Sequence, residues 1–189
     1  MIKILKWLVG ILVVLGLLVF FVGFPYMKSQ TKKNSPEQTV ALAETINGTT
    51  ANLSVIYCKP YKKGREIFGG LVPFGKVWRT GANENTVFIT DKDLIIGGNK
   101  LPAGKYSLFT IPEKDKWTVI WNKKQYAWGI NYDQTSPRIP AEDALQIQVP
   151  VEIQTPSLDQ FNISLAKNDN VVNMILAWDN TKVTVPIGF

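Results

Sequence analysis

Histidine is absent from this chain of 189 residues, and cysteine occurs once. Without an imidazole the chain cannot form a Ser-His-Asp or Cys-His nucleophile, a His-ligated zinc site or an imidazole proton shuttle. The single thiol, Cys58, has no second cysteine with which to close an intramolecular disulfide or to bind zinc. We therefore interpret Cys58 as a small apolar residue on a strand, and we expect neither a metal nor a cofactor.

Most of the chain also lacks an excess of positive charge, although the formal net charge is +6. Five of the 21 Lys and Arg residues, and no acid, lie within residues 1–33, which leaves 16 basic residues against 15 acidic ones in the remainder. Nucleic-acid binding requires clustered Lys and Arg that release counterions. The near-neutral remainder therefore argues against a nucleic-acid partner.

One long hydrophobic run lies near the N-terminus. Residues 7–27 contain no charge over 21 positions, and at about 1.5 Å per residue a helix of that length crosses a hydrocarbon core of about 30 Å. Secretory signals have shorter apolar regions that end in small residues. Bulky residues occupy that place here: Phe20, Phe21, Phe24, Pro25 and Tyr26. The run favours an uncleaved transmembrane anchor, with secretion after signal cleavage as the alternative.

The segments on both sides of this anchor are polar. Residues 1–6 form a short basic tail, and residues 28–38 are interpreted as a polar tether to a domain over residues 39–189. Lysines on the two sides nearly balance, so the positive-inside rule does not decide the orientation. We expect a single-pass membrane protein with its N-terminus in the cytoplasm and its domain on the extracytoplasmic, periplasmic side. The oligomeric state stays open.

Beyond residue 38, apolar residues recur at every second position. Residues 145–153 and 161–165 give the clearest alternation, which is typical of half-buried strands. Similar periods mark residues 39–46, 51–58, 86–90, 93–96, 104–111, 116–122, 171–178 and 182–187. A short piece at 141–146 is the one candidate helix after the anchor. The pattern predicts an all-β domain, an antiparallel β-sandwich of about nine to ten strands, with a β-barrel as the second architecture.

Several longer motifs carry a family resemblance. They are GREIFGGLVPFGKVWRTGANE (residues 64–84), LPAGKYSLFTIP (101–112), WTVIWNK (117–123), WGINYD (128–133) and WDNTKVTVPI (178–187). Over nearly all of residues 36–187 the chain resembles the bacterial family catalogued as domain of unknown function 2911. The resemblance implies an extracytoplasmic β-sandwich, mostly exported by a signal peptide, with no established activity, substrate or cofactor. It supplies no catalytic residues. The long apolar N-terminal segment and Cys58 depart from the family pattern.

The polar segment GKVWRTGANENT, residues 75–86, is the first candidate for a site. Apolar residues and glycines precede it, so we expect an ordered loop at one end of the sandwich with partly desolvated polar groups. In one interpretation, Arg79 pairs with Glu84 or with strand carbonyls and only holds the loop. In the other, aromatic faces, amides, carboxylates and a guanidinium converge on a cleft for a carbohydrate or peptide. The residues of that hypothetical ligand site are Trp78, Arg79, Asn83, Glu84, Trp128, Tyr132 and Asp133.

Two aromatic residues of this site also have a purely structural interpretation. Trp128 and Tyr132 also fit a role in packing the core or a long loop, and Trp117 and Trp121 share one strand face that we assign to the core. The most favoured function is a binding or envelope-structural module. The envelope role would use an exposed sheet edge to bind a protein partner.

A hydrolase is the alternative function. Without histidine, general acid and base catalysis would need a pair of carboxylates in different environments, as in glycoside hydrolysis. Glu84 with Asp133, or Glu84 with Glu66, is the candidate pair.

Overall fold

The computed structural model describes residues 2–189, with side chains for all of them except residues 2–5 and 28. The chain begins with an α-helix, α1 (Ile2–Leu18), continues through a π-helical segment (Val19–Gly23) and enters a second α-helix, α2 (Phe24–Asn34), without a break. Because the helix extends to Asn34, residues 28–34 of the polar segment are helical rather than extended.

The N-terminal helix is long and apolar enough to cross a membrane. From Lys6 to Asn34 it has 29 residues, and its most apolar stretch has a mean hydropathy of 2.8. No residue of that stretch is buried against the rest of the chain. A signal sequence meets the same criteria of length and composition. The helix is therefore a candidate membrane anchor or signal sequence.

Nine strands follow the helix, and every pairing between them is antiparallel. They are β1 (Glu37–Ile46), β2 (Thr49–Cys58), β3 (Val87–Thr90), β4 (Leu94–Ile96), β5 (Asn99–Leu101), β6 (Gly104–Pro112), β7 (Lys116–Asn122), β8 (Asp143–Asn168) and β9 (Val171–Gly188). A 3-10 helix (Pro140–Glu142) precedes β8. The strand order is β1-β2-β3-β6-β7-β8-β9-β4-β5.

The long strand β8 joins the two layers of the fold. Its first part, up to Pro150, pairs with β7, and its second part, from Val151, pairs with β9. The two layers then face each other: the hydroxyl of Tyr57 on β2 donates to the carbonyl of Ile163 on β8 at 3.2 Å, and the amide of Ile163 donates back to that hydroxyl at 2.8 Å. The predicted antiparallel β-sandwich is confirmed. The order begins at β1 and ends at β5, so the described sheet has two edges and is not closed into a barrel.

The nine strands agree with the predicted nine to ten, but two strand boundaries differ from the sequence prediction. The segments predicted at 145–153 and 161–165 belong to one strand, β8, whose register with β9 shifts on both sides of Leu158. The segments at 171–178 and 182–187 also form one strand, β9, with Asp179 at a φ of 54° between them. A bulge breaks the apolar alternation without ending a strand, and this is why the pattern divided each strand in two. The helix expected at 141–146 is wrong beyond Glu142, because β8 begins at Asp143.

Large aromatic residues fill the space between the layers. Trp117, Trp121 and Phe161 have no exposed surface, and Trp117 and Trp121 lie on β7 as core residues, as predicted. Cys58 ends β2 and is also buried, which confirms its interpretation as a small core residue on a strand. Burial of such aromatic surface supplies most of the driving force for folding.

Candidate functional site

The segment 75–86 lies within the connection between β2 and β3 and crosses one end of the sandwich. Its backbone is anchored to the core sheet: the amide of Trp78 donates to the carbonyl of Thr110 at 2.7 Å, and the amide of Thr110 donates back at 2.9 Å. The amide of Ala82 donates to the carbonyl of Cys58 at 3.3 Å. Thr80, which is fully buried, donates its hydroxyl to that of Thr110 at 3.1 Å. The segment is thus an ordered loop with a fixed backbone.

Trp78 connects this loop to the aromatic core. Its ring is stacked on that of Trp178, with centroids 6.0 Å apart, and meets the ring of Phe161 at 4.9 Å. Its indole N–H donates to the carbonyl of Gly81 at 3.1 Å. Aromatic pairs in such geometries stabilise a fold by about 0.5–1.5 kcal/mol beyond the area they bury. Trp78 therefore stabilises the loop as well as lining the groove described next.

A groove of about 680 Å³ lies beside the loop. Its walls come from the β2–β3 connection, the end of the N-terminal helix and the loop between β7 and β8. Four of its lining residues are basic, and no Asp or Glu is among the lining residues in the described part of the chain. The basic residues are Lys63, Arg65, Lys76 and Arg79. The groove thus offers a cationic surface next to the apolar ring of Trp78.

Arg79 is partly buried, whereas the other three basic residues of the groove are exposed. Its stem lies against Gly129, where a Cβ atom would stand 2.6 Å from the Arg79 Cβ, so only glycine leaves room for the side chain. Its Nε donates a long hydrogen bond of 3.4 Å to the carbonyl of Gly81. Its Nη1 is buried and has no hydrogen-bond partner among the described residues. Burial lowers the pKa of the Arg79 guanidinium, with a smaller opposing effect of Cys58, but an arginine stays protonated at neutral pH.

Asn83 joins the domain to the end of the helix. Its Nδ2 donates to the carbonyl of Thr31 at 3.2 Å and to that of Ser35 at 3.4 Å. The Thr31 carbonyl also accepts the amide of Ser35 at 3.0 Å, so Asn83 adds a tertiary hydrogen bond to a carbonyl that already has a backbone partner. Asn83 has a φ of 56°, a left-handed conformation that asparagine tolerates better than most residues. Lys63 adds a second link, because its ammonium donates to Oδ1 of Asn34 at 2.9 Å.

Glu84 is turned toward Cys58 and does not pair with Arg79 in the described structure. The Cys58 thiol donates to Oε2 of Glu84 at 3.3 Å. Burial, together with the smaller effects of the hydrogen bond to Glu84 and of its charge, raises the pKa of the Cys58 thiol to about 11. A thiol with so high a pKa is not a nucleophile at neutral pH.

The remaining predicted residues lie on the loop between β7 and β8. Trp128 is 42% exposed, and Tyr132 is fully exposed. Oδ1 of Asp133 accepts hydrogen bonds from the amide of Thr135 at 3.0 Å and from its hydroxyl at 2.6 Å, and these bonds lower the pKa of the Asp133 carboxyl. Other residues of the same loop, Ile130 and Gln134, line the groove.

The structure therefore brings together part of the predicted site. Three of the seven residues line the groove and four do not. The groove-lining residues are Trp78, Arg79 and Asn83, and those outside the lining are Glu84, Trp128, Tyr132 and Asp133. No hydrogen bond in the described chain joins Glu84 to Asp133 or to Glu66.

Sequence reasoning missed Lys63, Arg65 and Lys76. Their signal was available in the sequence, because three of the four basic groove residues and a further lysine fall within residues 62–76, where Glu66 is the one acid. The net charge of the whole domain is nearly zero and therefore does not reveal this local excess of positive charge.

Comparison with known proteins gives one match. A sequence model of the family described as Protein of unknown function (DUF2911) matches residues 35–187. The match begins directly after α2 and ends within β9, so it contains the groove loop and the whole sandwich. No curated protein and no solved structure matches the chain.

Proposed function

The chain belongs to the DUF2911 family, and we propose that it is a membrane-anchored binding protein whose groove takes an anionic carbohydrate or peptide. In this proposal the N-terminal helix remains attached as the anchor, and the domain lies on the extracytoplasmic side of a bacterial membrane. The function is recognition rather than catalysis.

The observation that carries the proposal is the unpartnered nitrogen of Arg79 in a groove without carboxylates. A buried donor without a partner costs about 1–3 kcal/mol, and the described chain places no acceptor within hydrogen-bond distance of Nη1. An oxygen of a bound carboxylate, sulfate or phosphate would remove that cost. Lys76 lies on the same groove and makes no side-chain hydrogen bond in the described structure, so its ammonium is available to the same anion.

Aromatic groups support a sugar or peptide as the body of the ligand. Trp78 provides an apolar wall inside the groove. Trp128 precedes Gly129, whose amide donates to the carbonyl of the groove residue Asn83 at 3.1 Å, so Trp128 is next in sequence to a residue that is bonded to the groove wall. Tyr132 and Asp133 fall between the lining residues Ile130 and Gln134. We assign these three residues to the solvent-accessible rim of the site.

A hydrolase receives less support from the same geometry. Glu84 is engaged with the Cys58 thiol, and the Asp133 carboxylate is held by Thr135. A general acid and base pair must lie on either side of one scissile bond, and the described contacts do not place these two carboxylates on a common cleft. Binding is therefore the function that we propose.

Arg79→Met tests this function, because methionine keeps much of the apolar stem and removes the charge. We expect a screen of the full chain in neutral detergent to find an anionic oligosaccharide or peptide, read from Trp fluorescence. Loss of a charge-assisted contact should weaken its binding by about tenfold or more.

Lys92→Gln is the matched control. Lys92 is exposed, follows the far end of β3 and does not line the groove, so its substitution should leave the affinity unchanged. The proposal is wrong if Arg79→Met binds the ligand as tightly as the wild type. A large fall in Tm for Arg79→Met, with no ligand found by the screen, would instead assign Arg79 to holding the loop.

A further inference from the structure

We propose that the groove also binds the phosphate of an anionic phospholipid in the membrane that holds the helix. This inference rests on the proposed function, because it requires both an anchored helix and an anion-binding groove. It adds a second ligand beside the carbohydrate or peptide, one that the groove draws from the bilayer rather than from solution.

The length of the helix sets the height of the groove above the membrane. The uncharged run ends at Met27, and the helix continues to Asn34, which lines the groove. Seven further residues at about 1.5 Å each raise Asn34 by roughly 10 Å above the hydrocarbon boundary. The head-group layer on one side of a bilayer is about 5–8 Å thick. Asn34, and the groove with it, therefore lies at the outer edge of the head groups.

The joint between helix and domain keeps the groove at that height. The Asn83 side chain is bonded to the carbonyls of Thr31 and Ser35, and Lys63 is bonded to Asn34. These contacts are made by groove residues themselves, so the wall of the groove and the end of the helix form one unit. A flexible tether would let the groove move away from the bilayer, whereas this joint holds the two together.

Charge favours an anionic lipid at this position. Lys32 and Lys33 lie in the last turn of α2, and the first acidic residue of the chain is Glu37. Together with the four basic residues of the groove they form a cationic surface next to the membrane. Basic residues close to a bilayer attract anionic lipids, whereas a zwitterionic lipid carries no net charge to attract them.

Two of the groove cations are available to hold the phosphate. Lys63 is bonded to Asn34, and Arg65 donates its Nε to the carbonyl of Lys62 at 3.0 Å. Arg79 retains an unpartnered Nη1, and Lys76 is exposed. A guanidinium and an ammonium together suit a phosphodiester, because the guanidinium binds two oxygens in its plane and the ammonium neutralises the remaining charge.

The test compares three probes on the full chain in neutral detergent: dioctanoyl phosphatidylglycerol, dioctanoyl phosphatidylcholine and inorganic phosphate. Native mass spectrometry counts the bound lipids, and Trp fluorescence measures affinity. We expect phosphatidylglycerol to bind about tenfold or more tightly than either other probe. Arg79→Met and Lys76→Gln should each weaken phosphatidylglycerol binding by about fivefold or more, while Lys92→Gln should not. Lys76 is exposed, so Lys76→Gln keeps the test valid even if Arg79→Met does not fold.

Equal binding of the two lipids, or no effect of either groove variant, would overturn the inference. Inorganic phosphate that binds as tightly as phosphatidylglycerol would overturn the lipid as the source. If an anionic oligosaccharide or peptide binds and requires Arg79, while phosphatidylglycerol does not bind, the proposed function stands and this inference fails. If no probe of either kind requires Arg79, both fail.

Discussion

At the scale of single residues, the buried charges of this domain are of two kinds. Arg138 and Asp143 form an ion pair whose side chains are 10% and 7% exposed, and Nε of Arg138 donates to Oδ1 of Asp143 at 3.1 Å. Asn122 and Gln146 donate to the same carboxylate at 2.8 and 2.7 Å. Arg79, in contrast, has no carboxylate partner in the described structure. The first arrangement satisfies its own hydrogen bonds, whereas the second leaves Nη1 of Arg79 without a partner among the described residues.

Asp143→Asn should therefore be strongly destabilising at neutral pH. The substitution leaves the Arg138 charge buried without its partner, which costs about 3–5 kcal/mol in comparable pairs. Chemical denaturation of the full chain in neutral detergent, followed by Trp fluorescence, measures the free energy of unfolding. Asp115→Asn is the control, because Asp115 is exposed and has no ion pair in the described chain; this variant should be as stable as the wild type.

The same pair predicts a dependence on pH. Burial alone would raise the pKa of Asp143, but hydrogen bonds from Arg138 and Asn122 and the charge of Arg138 outweigh it, so the pKa lies below its ordinary value. A carboxyl with a lowered folded-state pKa stabilises the fold above its unfolded pKa of about 3.9 and loses this effect as the pH falls through the folded value. The stability gap between wild type and Asp143→Asn should narrow below about pH 3.9. A gap that stays constant from pH 7 to pH 3 would contradict the assigned role.

Three of the predicted site residues lie together on the groove. Trp78, Arg79 and Asn83 line the groove because their loop is fixed to the sheet through Thr110. The pairing of Arg79 with Glu84, one of the alternatives for this loop, is not formed in the described structure, where Glu84 contacts Cys58. Sequence spacing in an irregular loop does not determine which way a side chain points. Whether these residues bind a ligand stays a prediction.

At the scale of elements, the joint between α2 and the β2–β3 connection is the feature that the sequence did not indicate. A run of Lys, Ser, Gln, Thr and Asn has the composition of a tether, yet residues 28–34 continue the helix. Tertiary contact supplies what local propensity lacks: the carbonyls at the end of the helix receive hydrogen bonds from Asn83. A contact 48 residues away along the chain leaves no periodic signal.

Asn83→Gly should loosen this joint without unfolding the domain. Glycine adopts the positive φ of Asn83 without strain, so the variant removes the amide and little else. Loss of two hydrogen bonds, at about 1 kcal/mol in total, should speed amide exchange in the last helical turn roughly fivefold. Hydrogen–deuterium exchange of a peptide covering residues 28–36 measures this, and peptides from β7 should not change.

A second asparagine serves as the matched control for the joint. Asn47 also has a positive φ, of 51°, but lies in the turn between β1 and β2 and makes no hydrogen bond to the helix in the described structure. Asn47→Gly should leave exchange at residues 28–36 unchanged. If Asn83→Gly also leaves it unchanged, the helix end is not held by this side chain.

At the scale of the whole molecule, the division into an apolar helix and an all-β domain was predictable, because the apolar run is long and the alternation in the strands is periodic. The strand boundaries were less predictable, because β8 and β9 continue through bulges at Leu158 and Asp179. Hydropathy predicts the helix but does not determine whether it is cleaved, since an anchor and a signal sequence share length and composition. The lysine balance likewise leaves open which side the domain occupies.

Because the one native thiol, Cys58, is buried, labelling of an added cysteine can show on which side of the membrane the domain lies. Cys58 has 1% of its surface exposed, and burial raises its pKa to about 11, so a maleimide, which reacts with accessible thiolates, should not label the folded wild type. Lys92→Cys adds a thiol at an exposed turn. In intact bacterial cells we expect a membrane-impermeant maleimide to label this variant. The labelled chain should stay in the membrane pellet after an alkaline wash, and its intact mass should show that it keeps residues 1–33.

Each alternative gives a different result in the same cells. A domain in the cytoplasm would be labelled only after the membrane is permeabilised, which would contradict the proposed orientation. A labelled chain in the soluble fraction that lacks its hydrophobic segment would identify the helix as a cleaved signal. This result would also remove the basis for a lipid ligand, because the groove would no longer be held at the head groups. The wild type should be labelled only after denaturation, when Cys58 becomes accessible; labelling of folded wild type would contradict the burial of Cys58.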